Sequence, residues 1–168
     1  MVHETCYLNF TRTAITARWR RDGENWVKTN GFINPLSAKG SGKVYIFADA
    51  KWPFYVDKAS QSIGSRVGQA FRCTPHNRAK GFAGYRCKQR MTESFLHVFM
   101  GPPENPWSSE DAECIEAEVV FRIRQAGAWP VYRTEIHFSK PAPRHEKSAD
   151  AIMAYFTRLK AHRGLSRP

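Results

Sequence analysis

Between Lys43 and Phe47, and again between Pro53 and Val56, apolar, β-branched and aromatic side chains crowd into short runs separated by a compact polar segment. Runs of that make-up suit a pleated surface, so the pattern predicts two antiparallel strands joined as a hairpin. The period then changes. Ile63, Val67, Ala70 and Phe71 recur at helical spacing within 60–72, which predicts a helix with one apolar face. Its two glycines, Gly64 and Gly68, weaken that helix by roughly 1 kcal/mol each relative to Ala.

Residues 74–90 are rich in Gly, Lys and Arg and show no period, as expected of an exposed basic loop. Ser94 to Met100 reads as a third strand, ended by Gly101-Pro102-Pro103. A helix should then start at Ser108 or Ser109, where a hydroxyl can cap and where Glu110, Asp111 and Glu113 complement the positive helix terminus. It is expected to run to about Ala126 and to stop at Gly127. Val131 to Phe138 is a further extended segment. Glu146 to His162 closes the chain as a helix with Ile152, Tyr155, Phe156 and Leu159 on one side.

Upstream, Leu36 to Gly42 is a loop. It sets off an aromatic, basic arm in which Asp22-Gly23 marks a turn between short patterned segments, a candidate hairpin. No repeat or linker divides the chain. The sum of these elements is an α+β fold.

Composition narrows the function. The 168 residues contain 26 Lys plus Arg against 15 Asp plus Glu, a formal charge of +11, and the isoelectric point is about 9.8. Such an excess favours a polyanionic partner, with a merely solvated basic surface as the bland alternative. No run approaches the roughly 20 apolar residues of a spanning helix. Met1 to Tyr7 has neither a basic nor an apolar leader region, so a cytoplasmic location is expected. Cys6, Cys73, Cys87 and Cys114 are scattered without a paired spacing and read as reduced, inert thiols. Cys73, His76 and Cys87 offer three zinc ligands, but a structural zinc site wants four.

One acidic residue is out of place. At ~100° per residue, Ala112, Ile115, Val119 and Ile123 cluster on one face of their helix and Glu116 falls among them, whereas Glu118 points away. A carboxylate on a core-facing stripe is costly unless it is paired or holds a metal. On periodicity alone a structural ion pair explains Glu116 as well as a functional role does. Arg66, at the edge of the apolar face of the preceding helix, reads more readily as a snorkelling surface residue. Tyr45 and Tyr55 suit strands for packing reasons alone, and burial is the simpler reading of the tryptophans of the arm.

Taken in order, however, Gly42-Lys43-Val44-Tyr45 on a first strand, Tyr55-Val56-Asp57 on a second, Lys58 beyond it, Arg66 in the next helix and Ile115-Glu116 with Val119-Val120 on a later one resemble the GIY-YIG nuclease family. The resemblance covers roughly 42–138 and extends to the stretch from Gly127 to Phe138. Both motif tyrosines are present, but Lys43 and Asp57 stand where the family has glycine. Gly42 lies one residue early, and Asp57 adds a side chain and a negative charge.

The resemblance implies a small domain with a central three-stranded, mainly antiparallel sheet flanked by helices. Residues 1–41 would form an arm packed on it, 42–138 the nuclease domain and 139–168 a C-terminal helical extension. It implies a metal-dependent DNA endonuclease, in a restriction or genome-defence role. The alternative is a catalytically impaired relative that binds nucleic acid without cutting it. Glu116 would hold Mg²⁺ (or Mn²⁺), Arg66 would neutralise charge on the phosphate, Tyr45 would activate water, and Tyr55 and Lys58 would place the phosphate. Arg18, Arg20 and Arg21 of the arm, with Arg72, Arg78, Lys80, Arg86, Lys88 and Arg90, would neutralise DNA phosphates. A homodimer is compatible with this reading. Because Asp57 should oppose phenolate formation at its two tyrosine neighbours, Asp57→Gly is expected to preserve or raise cleavage.

Overall fold

The computed structural model describes residues 1–11, 15–72, 92–128, 139–162 and 164–168. Six strands and three helices occur among them. In chain order they are β1 (Val2–Phe10), β2 (Ile15–Asp22), β3 (Asn25–Lys28), β4 (Lys43–Ala48), β5 (Pro53–Ala59), α1 (Ile63–Arg72), β6 (Glu93–Met100), α2 (Ser109–Gln125) and α3 (Pro143–Ala161).

All six strands form one antiparallel sheet in the order β3-β2-β1-β6-β4-β5. The sheet is therefore six-stranded, not three-stranded as expected. The expected hairpin (β4–β5) and third strand (β6) are half of it, and the N-terminal segment supplies the other half. The physical reason lies in β1. Val2, Cys6, Leu8 and Phe10 alternate toward one core, so the strand can pair along its whole length with β6, from Val2 opposite Met100 to Asn9 opposite Glu93. That leaves its other edge to β2, which turns into β3 through Gly23 at φ 57°, a left-handed conformation that glycine accepts without steric cost.

The sheet separates two cores. On one face Leu8, Phe10, Tyr45, Phe47, Tyr55, Leu96 and Val98 pack with Ile63 and Val67 of α1. On the other, Val44, Ile46, Val56 and Phe99 meet Ala112, Ile115, Val119 and Ile123 of α2 and Ile152 and Phe156 of α3. Each fully buried aliphatic or aromatic side chain contributes roughly 1.5–3 kcal/mol relative to exposure, so these two layers hold the helices against the sheet.

Helix ends follow their local chemistry. Ser108 caps α2: its hydroxyl accepts from the Asp111 amide at 3.0 Å while the Asp111 carboxylate accepts from the Ser108 amide at 2.9 Å. Gly127, at φ 76°, follows the end of that helix. The last helix begins at Pro143, a few residues ahead of the expected Glu146, because proline at the first helical position gives up no intrahelical hydrogen bond. Glu118 is buried, although it turns away from the sheet: α3 covers that side, and Arg122 joins Glu118 to Asp150 of α3, the latter at 2.6 Å. The extended segment expected at Val131 to Phe138 lies outside the described residues. No helix among the described residues is long and apolar enough to cross a membrane.

Candidate active site

Strand periodicity and register create the site. In the β4–β5 hairpin Tyr45 lies opposite Asp57 and Phe47 opposite Tyr55, so these four side chains share the face that carries α1. Val44, Ile46 and Val56 take the other face, toward α2. Lys58, opposite Val44, reaches that side too and pairs with Glu113 of α2.

The side chains on the α1 face converge on one atom. Oδ2 of Asp57 accepts hydrogen bonds from the Tyr45 hydroxyl at 2.6 Å, the Tyr55 hydroxyl at 3.1 Å and Nη2 of Arg66 at 2.7 Å. Oδ1 accepts from the backbone amide of Lys58 at 2.8 Å. Tyr45 and Tyr55 are fully buried, Asp57 is buried, and about a quarter of the Arg66 side chain (23%) remains accessible. Bonds to an ionised acceptor in so dry a setting are roughly twice as strong as neutral ones.

This arrangement keeps both phenols protonated. Burial pushes Tyr45 well above the usual tyrosine value, and the Asp57 charge adds to that more than Arg66 relieves it. Tyr55 is raised likewise by burial, then by Tyr45, by Asp57 and by the charge of Glu116. For Arg66, burial opposes the charge, while Asp57 favours it through its own charge and its hydrogen bond.

Glu116 is fully buried on the α2 stripe with Ile115 and Val119, one turn beyond the Glu113 that meets Lys58. It stands on the α2 side of the sheet, whereas the two tyrosines face α1, and it is not among the residues that line the cleft beside Asp57 and Arg66. That open cleft, of about 300 Å³, is lined by Asp57, Lys58, Ser60, Gln61, Arg66 and Ser109. Asp57 and Arg66 therefore border both the buried network and the cleft.

The residues in the glycine positions have structural explanations as well. Lys43 is fully buried, and its ammonium donates to the carbonyls of Ala38 at 2.9 Å and Ser41 at 3.1 Å, tying down the loop before β4. Gly42 is where close approach is required: its amide donates to Trp107 O at 2.6 Å, and a Cβ there would collide with the Ser108 carbonyl. A side chain at 42 would push α2, and Glu116 with it, away from the hairpin.

The positions expected to meet nucleic acid divide into three groups. Arg18 on β2 and Arg72 at the end of α1 are exposed. Arg20 pairs with Glu4 at 3.3 Å, while Arg21 pairs with Glu24 at 3.0 Å and lies 5.4 Å from the centre of the Trp26 ring. Arg78, Lys80, Arg86, Lys88 and Arg90 fall outside the described residues, as do Cys73, His76 and Cys87. Cys6 and Cys114 are buried free thiols.

Sequence reasoning missed two features. It treated Asp57 as a departure from a pattern, whereas the side chain is the hub of the site. It also gave Glu113 only a helix-terminus role and missed its pairing with Lys58, for which its position three residues before Glu116 was the available signal. Among the described residues no group of three or more His, Cys, Asp and Glu side chains is placed to hold a metal ion. No protein-family model, curated protein or solved structure matches the chain.

Proposed function

We propose that this chain is a metal-dependent DNA endonuclease of the GIY-YIG type. One observation carries the reading: Tyr45, Tyr55 and Arg66, chosen from their order along the chain, meet at a single anionic oxygen beside an open cleft. Two hydroxyl donors and a guanidinium around one oxyanion position make a suitable seat for a phosphodiester.

In this reading a divalent cation would be held by Glu116, which is fully buried and does not line the cleft, so the carboxylate must become accessible for the ion to bind. Glu116 offers a carboxylate, and Mg²⁺ is commonly held by one or two carboxylates with substrate phosphate oxygens and water completing the shell. When bound, the ion would supply Lewis-acid stabilisation of the leaving oxygen. Arg66 neutralises charge on the attacked phosphate, Tyr55 and Lys58 position it, and Tyr45 orients the attacking water. In the resting arrangement Tyr45 is a neutral donor committed to Asp57, so its work on water begins only when that bond is released.

A second reading, binding of nucleic acid without cleavage, is favoured by the same Asp57, which occupies the donors that a phosphate would need. Incubation of the purified chain with single-stranded and duplex DNA and Mg²⁺ or Mn²⁺ separates the two. Cleavage that falls roughly a hundredfold or more in both Glu116→Ala and Arg66→Ala is the expected result. Equal cleavage by all three proteins rejects the assignment; binding without cleavage by the wild type selects the second reading.

A further inference from the structure

We infer that Asp57 is an internal anion occupying the seat of the substrate phosphate, so that DNA must displace this carboxylate before the site can act. The inference rests on the reading of this cleft as a phosphodiester site and names how that site is regulated.

The donors argue for it. Here Tyr45, Tyr55 and Arg66 all donate to Oδ2, while the amide of the next residue donates to Oδ1. Three convergent donors around one point describe an oxyanion seat, and a negatively charged phosphate oxygen asks for the same partners. The seat also has an exit. Asp57 lies on β5, the terminal strand of the sheet, and although largely buried it is one of the residues that line the cleft. Rotation of a short side chain toward the cleft would break all three of these hydrogen bonds at once.

The energetics then discriminate among ligands. A tethered carboxylate competes at a high effective concentration, of the order of millimolar or above, so a small free anion displaces it poorly. DNA brings many phosphates, and the excess positive charge of the protein attracts it by counterion release, which a lone phosphate cannot match. The device would keep the site closed to free phosphate and open it to polynucleotides.

Titration of the full chain with inorganic phosphate, without metal, tests this by calorimetry. Asp57→Gly should bind phosphate roughly tenfold more tightly than wild type or better, because a like charge is removed from the point at which Tyr45, Tyr55 and Arg66 converge. Asp57→Asn, which keeps the shape but not the charge, should fall between them. Adding Arg66→Ala to Asp57→Gly should abolish the gain. Thermal unfolding of each variant identifies which are folded, and Asp57→Asn carries the test if Asp57→Gly is not. A folded variant that binds phosphate no better than wild type overturns the inference, as does a gain that survives loss of Arg66. DNA cleavage without any gain in phosphate affinity sinks this inference alone. A gain in phosphate affinity in a protein that never cleaves DNA leaves it standing and sinks the hydrolase reading.

Discussion

Tyr45 and Asp57 are register partners on neighbouring antiparallel strands, and the hydroxyl of the first donates to Oδ2 of the second across 2.6 Å. A cross-strand pair on a buried face therefore becomes the anchor of a polar network, with Tyr55 and Arg66 joining at the same oxygen.

Tyr45→Phe removes one donor and leaves ring packing in place. The variant should lose about 1–2 kcal/mol of stability by denaturant unfolding, since a buried carboxylate forfeits a hydrogen bond while Tyr55 and Arg66 still hold it. If Tyr45 also orients water, cleavage should fall far more than stability does. A variant as active as wild type would remove Tyr45 from the mechanism.

Gly42→Ala tests how the hairpin is set against α2. The new Cβ would meet the Ser108 carbonyl and come within 3.0 Å of Ala112 Cβ, both belonging to the capped start of the helix. Backbone atoms yield poorly, so a destabilisation of about 1–3 kcal/mol is expected in chemical unfolding. A melting temperature equal to wild type would mean that α2 is free to shift, and would weaken the placement of Glu116.

Acid stability turns on a different cluster. On the α3 face of the sheet, Nδ1 of His97 lies 3.3 Å from Nε2 of His3 and 3.1 Å from the Thr5 hydroxyl, with Tyr155 and Phe156 against the rings. Burial lowers His3 to about 4 and holds His97 well below its usual value, the charge of His3 adding to the latter. Both are neutral when folded, but protonate near 6.5 when unfolded. The unfolded chain thus binds more protons across this window, and stability rises with pH. The melting temperature should fall as pH drops from about 6.5 toward 4, before most carboxylates titrate, and His97→Phe should flatten the slope. A wild-type melting temperature constant over that range would show that the pair stays charged.

Much of the site was legible because its signals are local. The hairpin follows from two aromatic, β-branched runs, α1 from an apolar stripe, and the inward turn of Glu116 from the helical period of Ala112, Ile115 and Val119. Asp57 was visible as an added charge, but its role was not: nothing within a few residues of it shows that an arginine nine positions later and two phenols will point at one oxygen. The strand β1 was missed for a related reason. Its alternation is interrupted by Glu4, which looks solvent-facing until Arg20 of β2 is seen to pair with it.

By itself the sequence determined the kinds of elements, their caps and turns, the basic charge and the set of residues worth watching. These are written in periods of two and 3.6 residues and in residue types that act on their immediate neighbours. Only the tertiary structure decided that the N-terminal strands complete the sheet, that His3 meets His97 from 94 positions away, and that Asp57 gathers Tyr45, Tyr55 and Arg66. Strand neighbours and convergent side chains are selected by burial and pairing energies summed over the whole chain, which no local window contains.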